Sequence, residues 1–282
     1  MSTLPDPGTI KALAMDLDGT VLAPGAVLTE RTARAVGKCV ERGLKIIIAT
    51  GRSIHSAEPF RSALGVSGPM VYFNGAMVAE MPGSMILKTT LLDTKAAEIC
   101  VDISRETETF FQVFFLVGGK EKRLILAAER DGEEREIYHR HTGLFSELGD
   151  LKEALRRRGT DSCIKAMFLA EPEKQILLRA HLEERLGGSI YVTQTLRTFL
   201  EIMNAGVSKG EGLNFVLDFL SLKADEVIAF GDEENDLPML SAAGFSVAPA
   251  NAKDAVKARA GLVVGANDEE GVAAFLEDFF NL

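Results

Sequence analysis

The chain has 282 residues, of which 46% are hydrophobic and 26% are charged, and its formal net charge is −10. These values are typical of a globular protein with a sizeable core, and the negative charge argues against nucleic-acid binding, which requires a basic surface. No run of about 18 apolar residues is present, so the sequence predicts no membrane-spanning helix. Cys39, Cys100 and Cys163 are too few and too widely spaced for a disulfide framework, and we expect a cytoplasmic protein.

Residues 10–74 alternate apolar strands with helices. Apolar runs predict strands at 10–17, 45–50 and 70–74, and the helical spacing of apolar residues predicts helices at 29–42 and 53–64. Thr29 is a suitable helix N-cap and Gly43 a suitable helix stop. Strands and helices that alternate in this way are typical of a parallel sheet in an α/β domain.

A different pattern occupies the middle of the chain. Strands are predicted at 111–117, 123–128, 163–169 and 199–203, and helices at 94–106, 147–158 and 172–186. Gly118-Gly119 favours a hairpin turn between the first two strands. His139 and His141 lie in a polar stretch that we expect to be a surface loop. This part of the chain is therefore expected to form an α+β unit with an antiparallel sheet.

The first pattern returns after Ser208. Helical patterns begin at 213, 251 and 269, and strands are predicted at 226–230, 245–248 and 262–264. The simplest organisation is an α/β core with a doubly wound, Rossmann-like parallel sheet, formed by residues 1–83 and 204–282. An α+β cap domain, residues 84–203, is expected to be inserted into this core.

Four polar clusters follow predicted strands of the core or open a predicted helix. They are Asp16-Leu17-Asp18-Gly19-Thr20, Thr50-Gly51-Arg52, Ser208-Lys209-Gly210 and Gly231-Asp232-Glu233-Glu234-Asn235-Asp236. Each alone has an ordinary explanation: a turn, a strand exit, a helix N-cap and an acidic helix start. Together they supply paired carboxylates, a hydroxyl, a cation and oxygen ligands for Mg²⁺ at the edge where open parallel sheets bind ligands.

As a set, these clusters resemble the haloacid dehalogenase-like superfamily, and specifically its Cof-type phosphatases with a type IIB cap. The resemblance covers essentially the whole chain. It also includes Asn74-Gly75-Ala76, Gly206-Val207 and Leu237-Pro238-Met239-Leu240. One departure is Ala250, where relatives often carry glycine, and it affects the local backbone rather than the chemistry.

The resemblance implies Mg²⁺-dependent hydrolysis of phosphate monoesters. Asp16 would attack phosphorus and form an aspartyl-phosphate that water then hydrolyses. Asp18 would protonate the leaving alkoxide and later activate the water; the superfamily's dehalogenases lack this second carboxylate. Mg²⁺ would bind the carboxylates of Asp16 and Asp232 and the backbone carbonyl of Asp18.

The resemblance also assigns the binding of the phosphoryl group. The phosphate-binding residues that it implies are Thr50, Gly51, Arg52, Asn74, Lys209 and Asn235. Thr50 and Lys209 would act catalytically with Asp16 and Asp18, and Asp236 would orient the metal and the lysine. The expected substrate is a sugar phosphate or a similar small phosphorylated metabolite, with no nucleic-acid or membrane partner.

Two alternatives share part of this pattern. A phosphotransferase such as a sugar phosphomutase would use the same core residues and return the phosphate to a second hydroxyl. A receiver-type signalling domain also combines a phosphorylated aspartate, Mg²⁺, threonine and lysine on a doubly wound sheet. Such a domain has no equivalent of Asp18 and no cap, which makes it the weaker alternative.

Overall fold

The computed structural model describes residues 3–118, 123–158 and 162–282. It contains two compact units: unit 1 is formed by Met1–Lys88 together with Ser208–Leu282, and unit 2 by Thr89–Val207. The insertion thus begins and ends a few residues later than the sequence indicates. The start is later because strand Met85–Thr89 belongs to a sheet with two strands of unit 1. The end is later because Asn204 donates a hydrogen bond to the Leu91 carbonyl within unit 2 (3.1 Å).

The elements are numbered in chain order. The first segment of unit 1 contains β1 (Ala12–Met15), α1 (Glu30–Glu41), β2 (Lys45–Ile48), α2 (Ile54–Ala63), β3 (Gly68–Tyr72), β4 (Met77–Met81) and β5 (Met85–Thr89). Unit 2 contains α3 (Thr94–Glu106), β6 (Phe110–Val117), β7 (Arg123–Ala128), α4 (Glu133–Thr142), β8 (Ser146–Leu148), α5 (Leu151–Arg158), β9 (Cys163–Leu169), α6 (Pro172–Leu186), β10 (Ile190–Leu196) and β11 (Phe199–Asn204). The second segment of unit 1 contains α7 (Lys209–Leu220), β12 (Val227–Phe230), α8 (Leu237–Ala242), β13 (Phe245–Pro249), α9 (Asp254–Lys257), β14 (Leu262–Val264) and α10 (Gly271–Phe280). None of these helices, within the described residues, is long and apolar enough to cross a lipid bilayer.

The central sheet of unit 1 has five parallel strands in the order β14-β13-β12-β1-β2. Every residue of β1 is buried, as expected for a strand covered by helices on both faces. Ala229 of β12 packs in the core cluster that contains Leu213 of α7. The next residue, Phe230, meets Phe275 of α10 on the opposite face, with 5.7 Å between the ring centroids. Successive residues of one strand therefore face helices on opposite sides, which is the doubly wound arrangement predicted.

Strand β3 lies beside the end of β2. A single parallel bridge joins Ala49 to Val71, and the Thr50 N–H donates to the Val71 carbonyl (2.9 Å). Beyond this bridge β3 pairs with antiparallel β4 in a second sheet of order β3-β4-β5. The carboxyl ends of β2 and β3 are thereby held next to each other.

Unit 2 is built on a six-stranded sheet of order β10-β11-β9-β6-β7-β8. Neighbouring strands are antiparallel except β7 and β8, which are parallel. One face of the sheet, with Phe111 and Val113, packs on α3, α5 and α6 in an apolar cluster. The unit is therefore the α+β type that the sequence predicts. Of the predicted turn at Gly118-Gly119, Gly119 lies outside the described residues.

Two sequence predictions for unit 2 are wrong. The helix predicted at 147–158 begins only at Leu151, because the residues before it form β8 alongside β7, and Asp150 accepts a hydrogen bond from the Glu153 N–H at the start of the helix (2.7 Å). His139 and His141 lie in helix α4 rather than in a loop. This helix has acidic residues in its first turn and basic residues in its last turn, which complement the helix dipole.

Candidate active site

Polar side chains of unit 1 meet at the carboxyl edge of the parallel sheet. Asp16 follows β1 and Asp232 follows β12, and these strands are neighbours with Met15 opposite Phe230. Lys209 is the first residue of α7, and Asp236 immediately precedes α8. All four polar side chains are buried. The structure therefore brings together residues that are far apart in the sequence.

Lys209 links two of the carboxylates. Its Nζ donates to Asp16 Oδ1 (2.5 Å) and to Asp236 Oδ1 (2.6 Å), and its side chain is only 1% exposed. A buried ammonium group is tolerated only when opposite charges and hydrogen bonds replace its hydration. Ser208 is the N-cap of α7, since its Oγ accepts a hydrogen bond from the Glu211 N–H (3.1 Å). The position of the lysine is thus set by both the helix start and the two carboxylates.

Two glycines of the predicted motifs allow this close packing. A Cβ at Gly210 would lie 2.5 Å from the carbonyl oxygen of Pro238, and a Cβ at Gly231 would lie 2.4 Å from the Cβ of Asp236. Real side chains do not approach this closely. Any larger residue at either position would move α7 or the Asp232 segment away from the site.

Burial and like charges perturb the ionisation of this cluster. Burial raises the pKa of Asp16 well above its usual value, Lys209 opposes the rise, and the neighbouring Asp236 and Asp232 add to it. Burial lowers the pKa of Lys209, but the nearby carboxylates outweigh this effect and the pKa is raised overall. Burial and Asp236 raise the pKa of Asp232 to about 7, although a hydrogen bond from Thr20 lowers it. Among the described residues of unit 1, these three carboxylates face one ammonium group, so the negative charge of the cluster exceeds its positive charge.

The donor atoms of the cluster fit a divalent cation. One carboxylate oxygen from each of Asp16, Asp232 and Asp236 lies within 4.8 Å of the others. Asp236 is already engaged, because its Oδ1 accepts from Lys209 and its Oδ2 accepts from the N–H groups of Asp232 (2.9 Å) and Glu233 (3.0 Å). Asp16 and Asp232 are therefore the carboxylates with capacity for a metal. Oxygen donors with excess negative charge suit a hard cation such as Mg²⁺.

Thr20 and Asn251 support the segments that carry these carboxylates, and the sequence alone indicates no role for either. Thr20 Oγ1 donates to Asp232 Oδ1 (2.7 Å). Asn251 Nδ2 donates to the carbonyl of Gly19 (2.8 Å). A Cβ at Gly19 would lie 2.2 Å from Asp232 Oδ2, so only glycine lets this oxygen reach the turn. Thr20 could have been suspected from its place after Asp18, whereas nothing in the sequence links Asn251 to Gly19.

Asp18 forms a two-pronged ion pair with Arg52. Arg52 Nε donates to Asp18 Oδ2 and Nη2 donates to Asp18 Oδ1, both at 2.6 Å. The side chain of Arg52 is 8% exposed and that of Asp18 24% exposed. The family resemblance implies phosphate binding by Arg52, but in the structure its guanidinium group contacts Asp18, the predicted acid–base residue, instead.

The other predicted phosphate-binding residues lie where β2 and β3 end. The carbonyl of Thr50 accepts a hydrogen bond from the Asn74 N–H (3.0 Å), and Gly51 separates Thr50 from Arg52. Asn74 adopts a left-handed backbone conformation (φ 55°), which asparagine tolerates better than most residues. Its Oδ1 accepts from Asn235 Nδ2 (2.9 Å). Asn235 Oδ1 is buried and has no hydrogen-bond partner among the described residues, so it can accept from water or contact a cation.

The sequence matches a known family along most of its length. Residues 13–276 match the family model described as haloacid dehalogenase-like hydrolase. The matched range includes all of β1 except Ala12, the following Asp16, all of unit 2 and the segment from Lys209 to Asp236. The resemblance stated from the motifs is thereby confirmed.

Individual relatives match nearly the whole chain. The 5-amino-6-(5-phospho-D-ribitylamino)uracil phosphatase YitU of Bacillus subtilis is 30% identical over 280 residues, with 96% of this chain and 97% of that protein covered. The pyridoxal phosphate phosphatase YbhA of Escherichia coli is 26% identical over 285 residues, with 95% and 98% covered. The structure of the subclass IIB sugar phosphatase BT4131 has a TM-score of 0.81 at 20% identity, with 96% and 100% covered. This last likeness shows the fold alone, and it confirms the predicted fold class.

Proposed function

The chain belongs to the haloacid dehalogenase-like hydrolases, and we propose that it is a Mg²⁺-dependent phosphatase that hydrolyses small phosphate monoesters through an aspartyl-phosphate on Asp16. The observation that carries this proposal is the buried contact of Lys209 with Asp16, next to Asp232. This arrangement supplies a fixed carboxylate nucleophile, a cation for the phosphoryl oxygens and donors for a metal ion.

In the first step Asp16 takes the phosphoryl group from the ester. One carboxylate oxygen of Asp16 forms a bond to phosphorus while the bond between phosphorus and the ester oxygen breaks. The leaving oxygen keeps the bonding electron pair and receives the proton of the Asp18 carboxyl group, so that an alcohol departs. Lys209 supports this step because its hydrogen bond orients Asp16 and its charge favours the ionised carboxylate.

In the second step water removes the phosphoryl group. The water oxygen forms a bond to phosphorus, and the bond between phosphorus and the Asp16 oxygen breaks. Asp18, now a carboxylate, accepts a proton from the water. Inorganic phosphate leaves, Asp16 is again a carboxylate, and Asp18 again carries the proton it needs for the next turnover.

The remaining residues bind the metal and the phosphoryl group. A bound Mg²⁺ would be held by Asp16, Asp232 and the carbonyl of Asp18, and it would reduce the repulsion between the anionic nucleophile and the anionic ester. The phosphoryl oxygens would contact the Thr50 hydroxyl, the Gly51 N–H and Lys209. Asn74 and Asn235 would complete the polar wall, while Asp236 holds Lys209 in place.

The relatives suggest the class of substrate. The Bacillus subtilis relative is named for a ribitylaminouracil phosphate, and the Escherichia coli relative is named for pyridoxal phosphate. These compounds share a phosphate monoester and differ in the rest of the molecule. We therefore expect a small phosphorylated metabolite, and sugar phosphates are the first candidates to test.

The proposal is tested by measuring phosphate release from a panel of phosphorylated metabolites, with Mg²⁺ and with EDTA. Many turnovers are expected with Mg²⁺ and none with EDTA. Asp16→Asn should lower kcat/KM at least about 10⁴-fold, because removing a nucleophile removes the covalent route. Its circular dichroism spectrum should match that of the wild-type protein. Appreciable turnover by a folded Asp16→Asn variant would exclude Asp16 as the nucleophile.

A further inference from the structure

The contact between Arg52 and Asp18 leaves the arginine poorly placed to bind phosphate. The two donors that form its fork, Nε and Nη2, each meet a different oxygen of Asp18 at 2.6 Å. Its third nitrogen, Nη1, points to the carbonyl of Ser56 at 3.4 Å. A guanidinium fork that is matched to one carboxylate cannot hold a phosphate in the same way at the same time.

The surroundings of Arg52 fix the guanidinium group independently of any ligand. It lies over the ring of Phe60, with 4.9 Å from Cζ to the ring centroid. The Arg52 N–H donates to Thr50 Oγ1 (3.1 Å), and its carbonyl accepts from the Phe73 N–H (3.1 Å). Helix α2, which carries Phe60, starts right after Arg52 with a capping box between Ser53 and Ser56. The arginine is therefore held at its backbone and along its side chain.

Within the described part of the chain, Arg52 is the partner to which the Asp18 side chain is hydrogen-bonded. Asp18 lies in the turn after β1, where Gly19 has a positive φ, and its side chain is more exposed than that of Asp16. A carboxylate in such a turn samples several rotamers unless a partner selects one. Arg52 is that partner, and its planar fork determines both the position and the plane of the carboxylate.

We infer that Arg52 is a positioning residue that orients Asp18 for proton transfer to the leaving group, and that it is not a phosphate ligand. The two-pronged contact is that of the ionised carboxylate; when Asp18 carries the proton, its carbonyl oxygen still accepts from one arm of the fork, and its protonated oxygen faces the leaving group. The inference rests on the proposed function, in which Asp18 protonates the departing alkoxide. It also explains the position of Phe60, because the Phe60 ring packs against Arg52, which in turn orients Asp18. Loss of Arg52 should therefore lower kcat/KM most for the substrates that depend most on a well-placed proton donor.

The test uses Arg52→Met, which keeps an unbranched apolar stem beside Phe60 and removes the fork. The measured quantity is kcat/KM, which reports the steps up to formation of the aspartyl-phosphate. For a sugar phosphate, whose alkoxide leaves poorly, we expect a loss of about a hundredfold, and for 4-nitrophenyl phosphate a loss of no more than about threefold. Arg52→Lys should recover only part of the loss, because an ammonium group cannot contact both oxygens in a plane. Arg34→Met, which removes an exposed arginine of α1, is the matched control and should leave kcat/KM unchanged for both substrates.

Two further measurements separate positioning from phosphate binding. In the Asp18→Asn background, adding Arg52→Met should cause little further loss, because a residue that acts through Asp18 has nothing left to orient. The dissociation constant of inorganic phosphate, measured by calorimetry with Mg²⁺, should stay within about twofold of wild type in Arg52→Met.

The opposite results overturn the inference. Weaker phosphate binding by Arg52→Met, with equal losses on both esters and an additive loss in the Asp18→Asn background, would make Arg52 a phosphate ligand. This outcome would leave the proposed phosphatase activity intact. Absence of Mg²⁺-dependent turnover by the wild-type protein on every ester would instead refute the proposed function, and this inference with it.

Discussion

Both units bury charged side chains, but they balance the charges differently. In unit 2, Lys165 Nζ contacts Glu201 Oε1 at 2.6 Å, and each side chain is 4% exposed. The ring of Phe114 lies 4.6 Å from the same ammonium nitrogen. In unit 1, Lys209 is buried against Asp16 and Asp236, with Asp232 close by. One cation there faces three carboxylates.

The difference separates a structural pair from a site. A buried pair of equal and opposite charges is compensated within the fold and needs no ligand. An unequal cluster remains costly, as the raised pKa values of Asp16 and Asp232 show. A divalent cation offsets that cost, and it can bring an anionic ester with it. The imbalance of charge, rather than burial itself, therefore distinguishes the proposed active site from the buried pair of unit 2.

Replacing Lys209 or Lys165 by methionine is expected to have the largest effect and tests the difference between the two buried clusters. Removing one partner of a buried pair should lower the free energy of unfolding by about 3 kcal/mol in both Lys209→Met and Lys165→Met. Only Lys209→Met should also lose activity, with kcat/KM for 4-nitrophenyl phosphate reduced about 10³-fold, while Lys165→Met stays within about twofold of wild type. Urea unfolding and initial rates on folded protein measure the two effects.

Replacing both partners sharpens the same comparison. The variant Lys165→Met/Glu201→Leu should unfold within about 1 kcal/mol of wild type, since the two opposite charges that contact each other are removed together and replaced by an apolar pair of similar volume. The corresponding Lys209→Met/Asp236→Leu variant should stay inactive whatever its stability. Loss of activity in the folded variant of unit 2 would show that charge balance does not distinguish the two regions.

A smaller effect is expected from the Thr20 hydroxyl, which donates to Asp232, a proposed metal ligand. Thr20→Val keeps the shape of the side chain and removes the hydrogen bond to Asp232. Because outer groups orient metal ligands, Mg²⁺ affinity should fall about tenfold. Calorimetric titration with Mg²⁺ measures this change. Thr9→Val, at an exposed hydroxyl that contacts the Asp6 carbonyl, is a suitable control and should bind Mg²⁺ like the wild-type protein.

The smallest predicted effect is the pH dependence of metal binding. The pKa of Asp232 is raised to about 7 by burial and by Asp236, so protons compete with the cation below that pH. Mg²⁺ affinity should fall about threefold between pH 7.5 and pH 6.5. The folded pKa lies above the unfolded value, so this group makes the metal-free protein less stable as pH rises from about 4 to 7. Affinity that is constant or higher at pH 6.5 would contradict this role for Asp232.

The sequence predicts where the site forms because of one simple rule. Parallel strands end at a common edge, so Asp16, Thr50 and Asp232 had to lie near each other once β1, β2 and β12 were recognised. Lys209 followed from its place at the start of an amphipathic helix. These are local sequence patterns, and the residues next to each position are enough to predict them.

Other features depend on distances that the sequence does not contain. The sequence does not indicate which acidic residue contacts Arg52, and only the fold shows that Asp18 is its partner. Helix α4 is mostly polar and buries only Tyr138, so its apolar spacing is too weak to predict a helix. Strand β8 has three residues and depends on pairing with β7, which again is a tertiary effect.

Trapping the covalent intermediate tests the central claim, that Asp16 is the nucleophile, most directly. Asp18→Asn should slow hydrolysis of the aspartyl-phosphate more than its formation from 4-nitrophenyl phosphate, so that the intermediate accumulates. Acid quenching, borohydride reduction and peptide mass spectrometry should then find homoserine at position 16, only with substrate and Mg²⁺ present. Asp16→Asn in the same background should give no reduced product. Reduction at another residue, or a stoichiometric burst of 4-nitrophenol with an unmodified Asp16, would contradict the account.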